Sequence, residues 1–254
     1  MEKTQSADGT TIAFDRTGTG RAVVLVVGAF CDRQTTKALA ALLAPDFTVY
    51  EYDRRGRGDS SDQASYAPER EIDDLAAVVA ATGSAPFVYG HSSGAVLGLE
   101  AAAQQVPIRM LAVYEPPYTG ADGVASGFAD ELASLAASGQ RGEAAARFLA
   151  LTGAPAAAIA GMRSAPFWPR MEAIAHTLPY DVRLCGDGTV PAGRLAAIGI
   201  PVLALAGGAS PDWAYTAAGA VTAAVPHGGM QVLPGQDHGA AAEVVAPVLR
   251  GFFA

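Results

Sequence analysis

The stretch Phe87-Val88-Tyr89-Gly90-His91-Ser92-Ser93-Gly94-Ala95-Val96-Leu97 decides how the rest of the chain is read. It opens on a short apolar run suited to a strand, passes through a serine set among small residues, and continues to Gln105 as a helix-like window. A G-x-S-x-G string arises by chance in many chains, but at a strand-to-helix junction it has a mechanical reason. The serine sits in strained backbone, the turn is tight, and the flanking glycines leave it room. In such an elbow the Ser92 hydroxyl projects above the strand ends, and the Ser93 N–H, at the helix N-terminus, faces a developing oxyanion. The competing reading is a glycine-rich turn with no chemistry.

Upstream, Asp8-Gly9 separates Lys3–Ser6 from Thr11–Phe14 and signals a tight hairpin. Ala22–Val27 is a continuous β-branched run of the kind buried on both faces of a sheet. A helical window from Gln34 to Leu43, a strand Thr48–Tyr52 and a helix Glu69–Thr82 then lead to the elbow. Downstream come a helix Gly94–Gln105 and a strand Ile108–Tyr114. Strands alternating with helices predict an α/β protein with a parallel sheet covered on both sides.

After Glu115-Pro116-Pro117 the alternation stops until Pro201–Ala206. Gly127–Ala137, Gly142–Leu151 and Pro166–Thr177 look helical, so a helical insertion is expected rather than a long structureless loop. The alternation then resumes with a helix Trp213–Val225, a strand Met230–Leu233 and a helix Ala240–Phe253. The expected division is a core of residues 1–115 and 186–254 with a helical cap at 116–185.

Half of the 254 residues are hydrophobic, enough for a sizeable core. A net charge of −8 and no long basic tract argue against nucleic acid as a partner. The N-terminal residues lack an apolar signal segment, and no run reaches the length needed to span a bilayer, so a soluble cytoplasmic protein without a membrane partner is expected. Cys31 and Cys185 make no disulfide framework, and nothing near them has the spacing of a metal site.

Taken together, Val26-Val27-Gly28-Ala29-Phe30, Tyr52-Asp53-Arg54-Arg55-Gly56-Arg57-Gly58-Asp59-Ser60, the elbow, and Gly235-Gln236-Asp237-His238 resemble the α/β-hydrolase fold family over nearly the whole length. The resemblance implies a mainly parallel eight-stranded sheet flanked by helices, a Ser, acid, His order along the chain, a cap over the site, no cofactor, and a small-molecule substrate. Of the four histidines, His238 matches the family's base, which takes the Ser92 proton and returns it to the leaving group. His91, His176 and His227 read as ordinary elbow, cap and turn residues.

The second oxyanion donor is expected at Ala29, where this chain has Val27-Gly28 in place of the common His-Gly, and Phe30 is free to wall the pocket. Met162, Phe167, Trp168 and Met171 are candidates to line it, with packing of the cap as the alternative. The arginine-rich turn lacks the lysine and hydroxyl of a phosphate loop, and Asp53 and Asp59 offset its charge, so it reads as a structural turn holding the loop over the site. Glu69-Arg70-Glu71 reads as a favourable helix N-terminus with no functional part.

The acid departs from the family's pattern. Its usual slot after the strand Val202–Ala206 holds Ser210. Glu115, at the end of the strand beside the elbow strand, is preferred to Asp212, which sits at a helix start and reads equally as an N-cap; Asp187 ranks third. The leading expectation is a serine hydrolase of a small ester, lactone or thioester acting through an acyl-enzyme. The alternative keeps the fold but makes it a non-hydrolytic cyclase or lyase of secondary metabolism, using the oxyanion hole and His238.

Overall fold

The protein is described by a computed structural model that covers residues 1–120 and 124–254. Strands β1 (Glu2–Gln5) and β2 (Thr11–Thr17) form the hairpin around Asp8-Gly9. They are followed by β3 (Arg21–Val26), β4 (Phe47–Tyr52), β5 (Phe87–His91), β6 (Met110–Tyr114), β7 (Val202–Gly207) and β8 (Gly228–Leu233). The eight strands make one sheet in the order β1-β2-β4-β3-β5-β6-β7-β8, with the β1–β2 and β2–β4 pairs antiparallel and the remaining pairs parallel. This is the α/β-hydrolase arrangement that the sequence led us to expect.

Side chains alternate across a strand, and the central strands use both faces. Val24, Val26, Val88 and Val113 enter one apolar layer, beneath α2 (Pro68–Ala81) and α3 (Ser93–Ala103). Val23, Leu25, Phe87 and Tyr114 enter the other, covered by α1 (Lys37–Leu43) and the C-terminal helix Ala242–Phe253, where Phe47, Phe87 and Phe253 pack ring against ring. The first helical window is shorter than expected: Arg33–Thr36 is a tight 3-10 turn capped by Asp32, and only Lys37–Leu43 is α-helical.

Between β6 and β7 the structure places α4 (Phe128–Ala137), α5 (Arg141–Leu151), α6 (Ala156–Arg163), α7 (Trp168–Ile174), α8 (Leu178–Cys185) and the short α9 (Ala192–Leu195). Residues 121–123 of the expected insertion lie outside the described residues. Helix α6 takes up the tract Ala156-Ala157-Ala158, as its Ala-rich composition favours. The window Pro166–Thr177 is corrected to α7 plus a 3-10 turn, with α8 following directly. Pro179 lies in the first turn of α8, where its missing N–H costs nothing. The insertion has its own buried cluster, including Leu132, Ala145, Trp168 and Leu178, against which Ala29 and Phe30 of the core also pack. The chain continues with α10 (Asp212–Ala224) and α11, the C-terminal helix. No helix among the described residues is long and apolar enough to cross a membrane.

At the elbow, sheet and helix approach closely. A Cβ on Gly94 would sit 2.3 Å from the Val26 carbonyl oxygen, and one on Gly90 would sit 2.4 Å from that of Gly94. Backbone cannot yield there as a side chain would. Gly94→Ala is therefore expected to destabilise the protein by about 1–3 kcal/mol in urea unfolding. Gly161→Ala, on an exposed helical position with nothing within 4 Å of the added carbon, should be neutral or stabilising by up to about 1 kcal/mol. Equal effects at the two sites would contradict this account.

Candidate active site

Ser92 lies between β5 and α3 with φ 56° and ψ −126°, a conformation that costs about 1–3 kcal/mol for a residue with a side chain. Its N–H donates to the Tyr114 carbonyl at 2.9 Å, which pins the elbow to the neighbouring strand end. Gly28 faces it so closely that an added Cβ would lie 2.8 Å from Ser92 Cβ and 3.3 Å from Oγ. Ser93 opens α3, so its N–H has no partner within the helix. The loop after β3 is itself bent, with Phe30 at φ 58° and its ring edge-on to Phe148 at 5.4 Å.

The structure brings Glu115 and His238 together. Glu115, fully buried at φ 47°, accepts at Oε2 from His238 Nδ1 at 2.7 Å. Its Oε1 accepts from the Gly207 N–H at 2.7 Å and the Ser210 hydroxyl at 2.6 Å. Burial alone would raise this carboxyl, but the three donors outweigh it and hold Glu115 below its ordinary value. An ionised Glu115 requires the proton on His238 Nδ1, so the tautomer of the neutral ring has its lone pair on Nε2. Ser210, in the slot where relatives usually carry an acid, thus bonds the Glu115 carboxylate at the end of β6.

Asp212 is not drawn into this group. It is the exposed first residue of α10, and Pro211 occupies the cap position without a side-chain bond, so the N-cap reading of Asp212 is corrected too. Asp187 bonds Thr189 in its own turn.

Sequence reasoning missed the residues that hold the His238 loop. His91 Nε2 is 2.7 Å from the His238 carbonyl, so this nitrogen must carry a proton and donate it. Burial, and then the His238 ring 4.8 Å away, push His91 down to about 4, so it remains neutral near neutral pH. The Tyr114 hydroxyl donates to the Asp237 carbonyl while its ring stacks on His91. Both residues adjoin ones already singled out, and that adjacency was the available signal.

The three arginines of the turn, Arg54, Arg55 and Arg57, are buried. Arg54 pairs with Glu71 through Nε at 2.6 Å and Nη2 at 2.8 Å, so Glu71 is an ion-pair partner rather than a simple helix-start acid. Arg54 Nη1 also reaches Asp181 Oδ1 at 2.8 Å and the Ser93 hydroxyl, which in turn donates to Asp181 at 2.6 Å. Arg57 joins Asp181 Oδ2 at 2.8 Å and the Gly28 carbonyl at 2.6 Å. Burial would raise Asp181, but the guanidinium groups of Arg57 and Arg54 hold it below its ordinary value. Asp181 belongs to α8 of the insertion, and no local sequence signal links it to arginines so far upstream.

Of the candidate lining residues, Phe30, Met162 and Met171 pack against the insertion's buried cluster. Trp168 is buried within that cluster and donates its ring N–H to Glu172 at 2.8 Å, which makes it a packing residue of the insertion. Phe167 is about half exposed, at 52%.

A model of the alpha/beta hydrolase family matches residues 23–248. The chain belongs to the alpha/beta hydrolase family. An alpha/beta hydrolase from Sphaerobacter thermophilus has the same structure throughout, with a TM-score of 0.94, 49% identity and full coverage of both chains. A malate-bound thermophilic esterase from Thermogutta terrifontis superposes with a TM-score of 0.76 over 99% of this chain and 97% of its own, at 21% identity, a likeness of fold alone. An N-formylmaleamate deformylase from Pseudomonas putida is 36% identical over 107 residues, 41% of this chain and 40% of that protein. This family member's match to the deformylase thus spans less than half of either protein.

The three-donor arrangement on Glu115 has a measurable consequence. Ser210→Ala removes one donor from the ionised form, so the Glu115 carboxyl should titrate at higher pH than in the wild type when followed by carbon NMR of the side-chain carboxyl. An unchanged titration would contradict the assigned hydrogen bond.

Proposed function

We propose that the chain is a serine hydrolase that cleaves a small ester, lactone or thioester through an acyl-enzyme on Ser92. The observation that carries this reading is the 2.7 Å bond between His238 Nδ1 and the buried Glu115 carboxylate, at the same C-terminal ends of the parallel strands as the strained Ser92 elbow. Glu115 fixes the imidazole tautomer and stabilises the imidazolium that forms when Nε2 accepts the Ser92 proton. As Oγ adds to the substrate carbonyl, the N–H groups of Ala29 and Ser93 stabilise the oxyanion, a contribution of about 3–4 kcal/mol per donor in comparable sites. His238 then protonates the leaving group, the acyl-enzyme forms, and a water activated by the same nitrogen releases the acid.

In this reading α4 to α8, within residues 116–185, form a cap. Phe30, Met162 and Met171, partly buried against the insertion's apolar cluster, would supply the apolar side chains for an acyl group or small ring. The family assignment, the deformylase match and the esterase likeness accord with acyl transfer to water.

Hydrolysis of p-nitrophenyl acetate and butyrate tests the assignment. Ser92→Ala should abolish turnover. Glu115→Gln should lower kcat by roughly 10²- to 10⁴-fold, as expected when imidazolium loses its counter-charge, while Asp212→Asn should leave it within about twofold. Most activity surviving in Ser92→Ala would overturn the acyl-enzyme mechanism in favour of the proton-transfer chemistry of a cyclase or lyase.

A further inference from the structure

We propose that Arg57 and Asp181 are positioning residues that aim the Ala29 N–H as an oxyanion donor and make its aim depend on the docked insertion. The inference rests on the serine-hydrolase reading above. The Gly28 carbonyl and the Ala29 N–H belong to one planar trans peptide and point in opposite directions. Whatever holds the carbonyl therefore fixes the direction of the N–H. Arg57 Nη1 donates to that carbonyl at 2.6 Å and to the Cys31 carbonyl at 3.2 Å, while Arg54 Nη1 donates to the Val27 carbonyl at 3.2 Å. Three carbonyls of the loop after β3 are thus held by buried guanidinium groups in a loop that lacks the family's common histidine.

Both arginines are in turn held by one carboxylate. Asp181 takes Arg54 on Oδ1 and Arg57 on Oδ2, and also accepts from the hydroxyl of Ser93, the residue whose own N–H is the other proposed donor. One side chain on α8 therefore touches the supports of both proposed oxyanion donors. Arg54, Arg57 and Asp181 are each 1% exposed. Burying such charges costs desolvation that their mutual attraction roughly offsets, so a well-packed apolar replacement would serve stability equally well. A rigid fork able to hold two partners at once supplies direction, which an apolar side chain cannot.

The test uses the full chain with p-nitrophenyl acetate as substrate and phenylboronic acid as a tetrahedral adduct former. Arg57→Lys keeps the charge but not the fork. It should lower kcat at least tenfold with KM within twofold, and weaken boronate inhibition in the same ratio. Asp181→Asn, which keeps the side-chain shape, should show the same pattern to a lesser degree, and it carries the test if Arg57→Lys does not fold. Thermal unfolding separates this from a purely structural role, which would lower Tm while leaving kcat of the folded fraction and boronate affinity unchanged. That result would overturn the proposal. Ser92-dependent turnover with wild-type kcat in both variants would overturn the positioning role alone, whereas turnover that survives Ser92→Ala would overturn the underlying hydrolase reading with it.

Discussion

At Ser92 the chain leaves a buried strand and enters a helix within one residue, at a backbone conformation that only its surroundings can maintain. The glycines at 28, 90 and 94 permit the approach, since a Cβ at any of them would fall within 3 Å of neighbouring heavy atoms. The Tyr114 carbonyl receives the Ser92 N–H, and α3 begins immediately afterwards with unpaired N–H groups. Strain of this kind persists where the surrounding structure over-determines it, and it lifts the hydroxyl clear of the strand ends.

The site grows from that point through two sets of buried polar contacts on opposite sides. On one side, β6 carries Tyr114 and Glu115 past the elbow strand. Glu115 then gathers His238, Ser210 and the Gly207 N–H around a single carboxylate, while Tyr114 and His91 bond carbonyls of the His238 loop. A Cβ on Gly207 would meet the Gln236 carbonyl at 2.3 Å, which shows how tightly that loop is drawn against the end of β7. On the other side, Arg54 and Arg57 hold the loop after β3 and are anchored on Asp181. Hydrogen bonds in such a dry setting are directional, and each group left unpaired would be costly.

Much of this was legible in the chain. The β-branched run Ala22–Val27 suited a strand buried on both faces, and the Phe87–Gly94 junction announced both the sheet and the candidate nucleophile, because period and turn chemistry are local properties. Glu115 could be preferred to Asp212 from its strand end together with the family resemblance, which places that strand beside the elbow strand. Contacts between distant segments were not legible. Glu71 looked like an ordinary first-turn acid, and nothing near Asp181 announces that it will meet arginines 124 to 127 positions away. The bounds of helix α6 were not legible because its Ala-rich segment carries little apolar periodicity, and Trp168 looked like a pocket residue because burial inside a helical cluster and lining of a cavity leave the same trace in sequence.

Treatment of the protein with a fluorophosphonate, followed by peptide mapping by mass spectrometry, tests the central claim most directly. The account predicts one stoichiometric adduct on Ser92 that forms far more slowly in Glu115→Gln. An adduct on another residue, or labelling of Ser92 at the same rate in the two proteins, would contradict it.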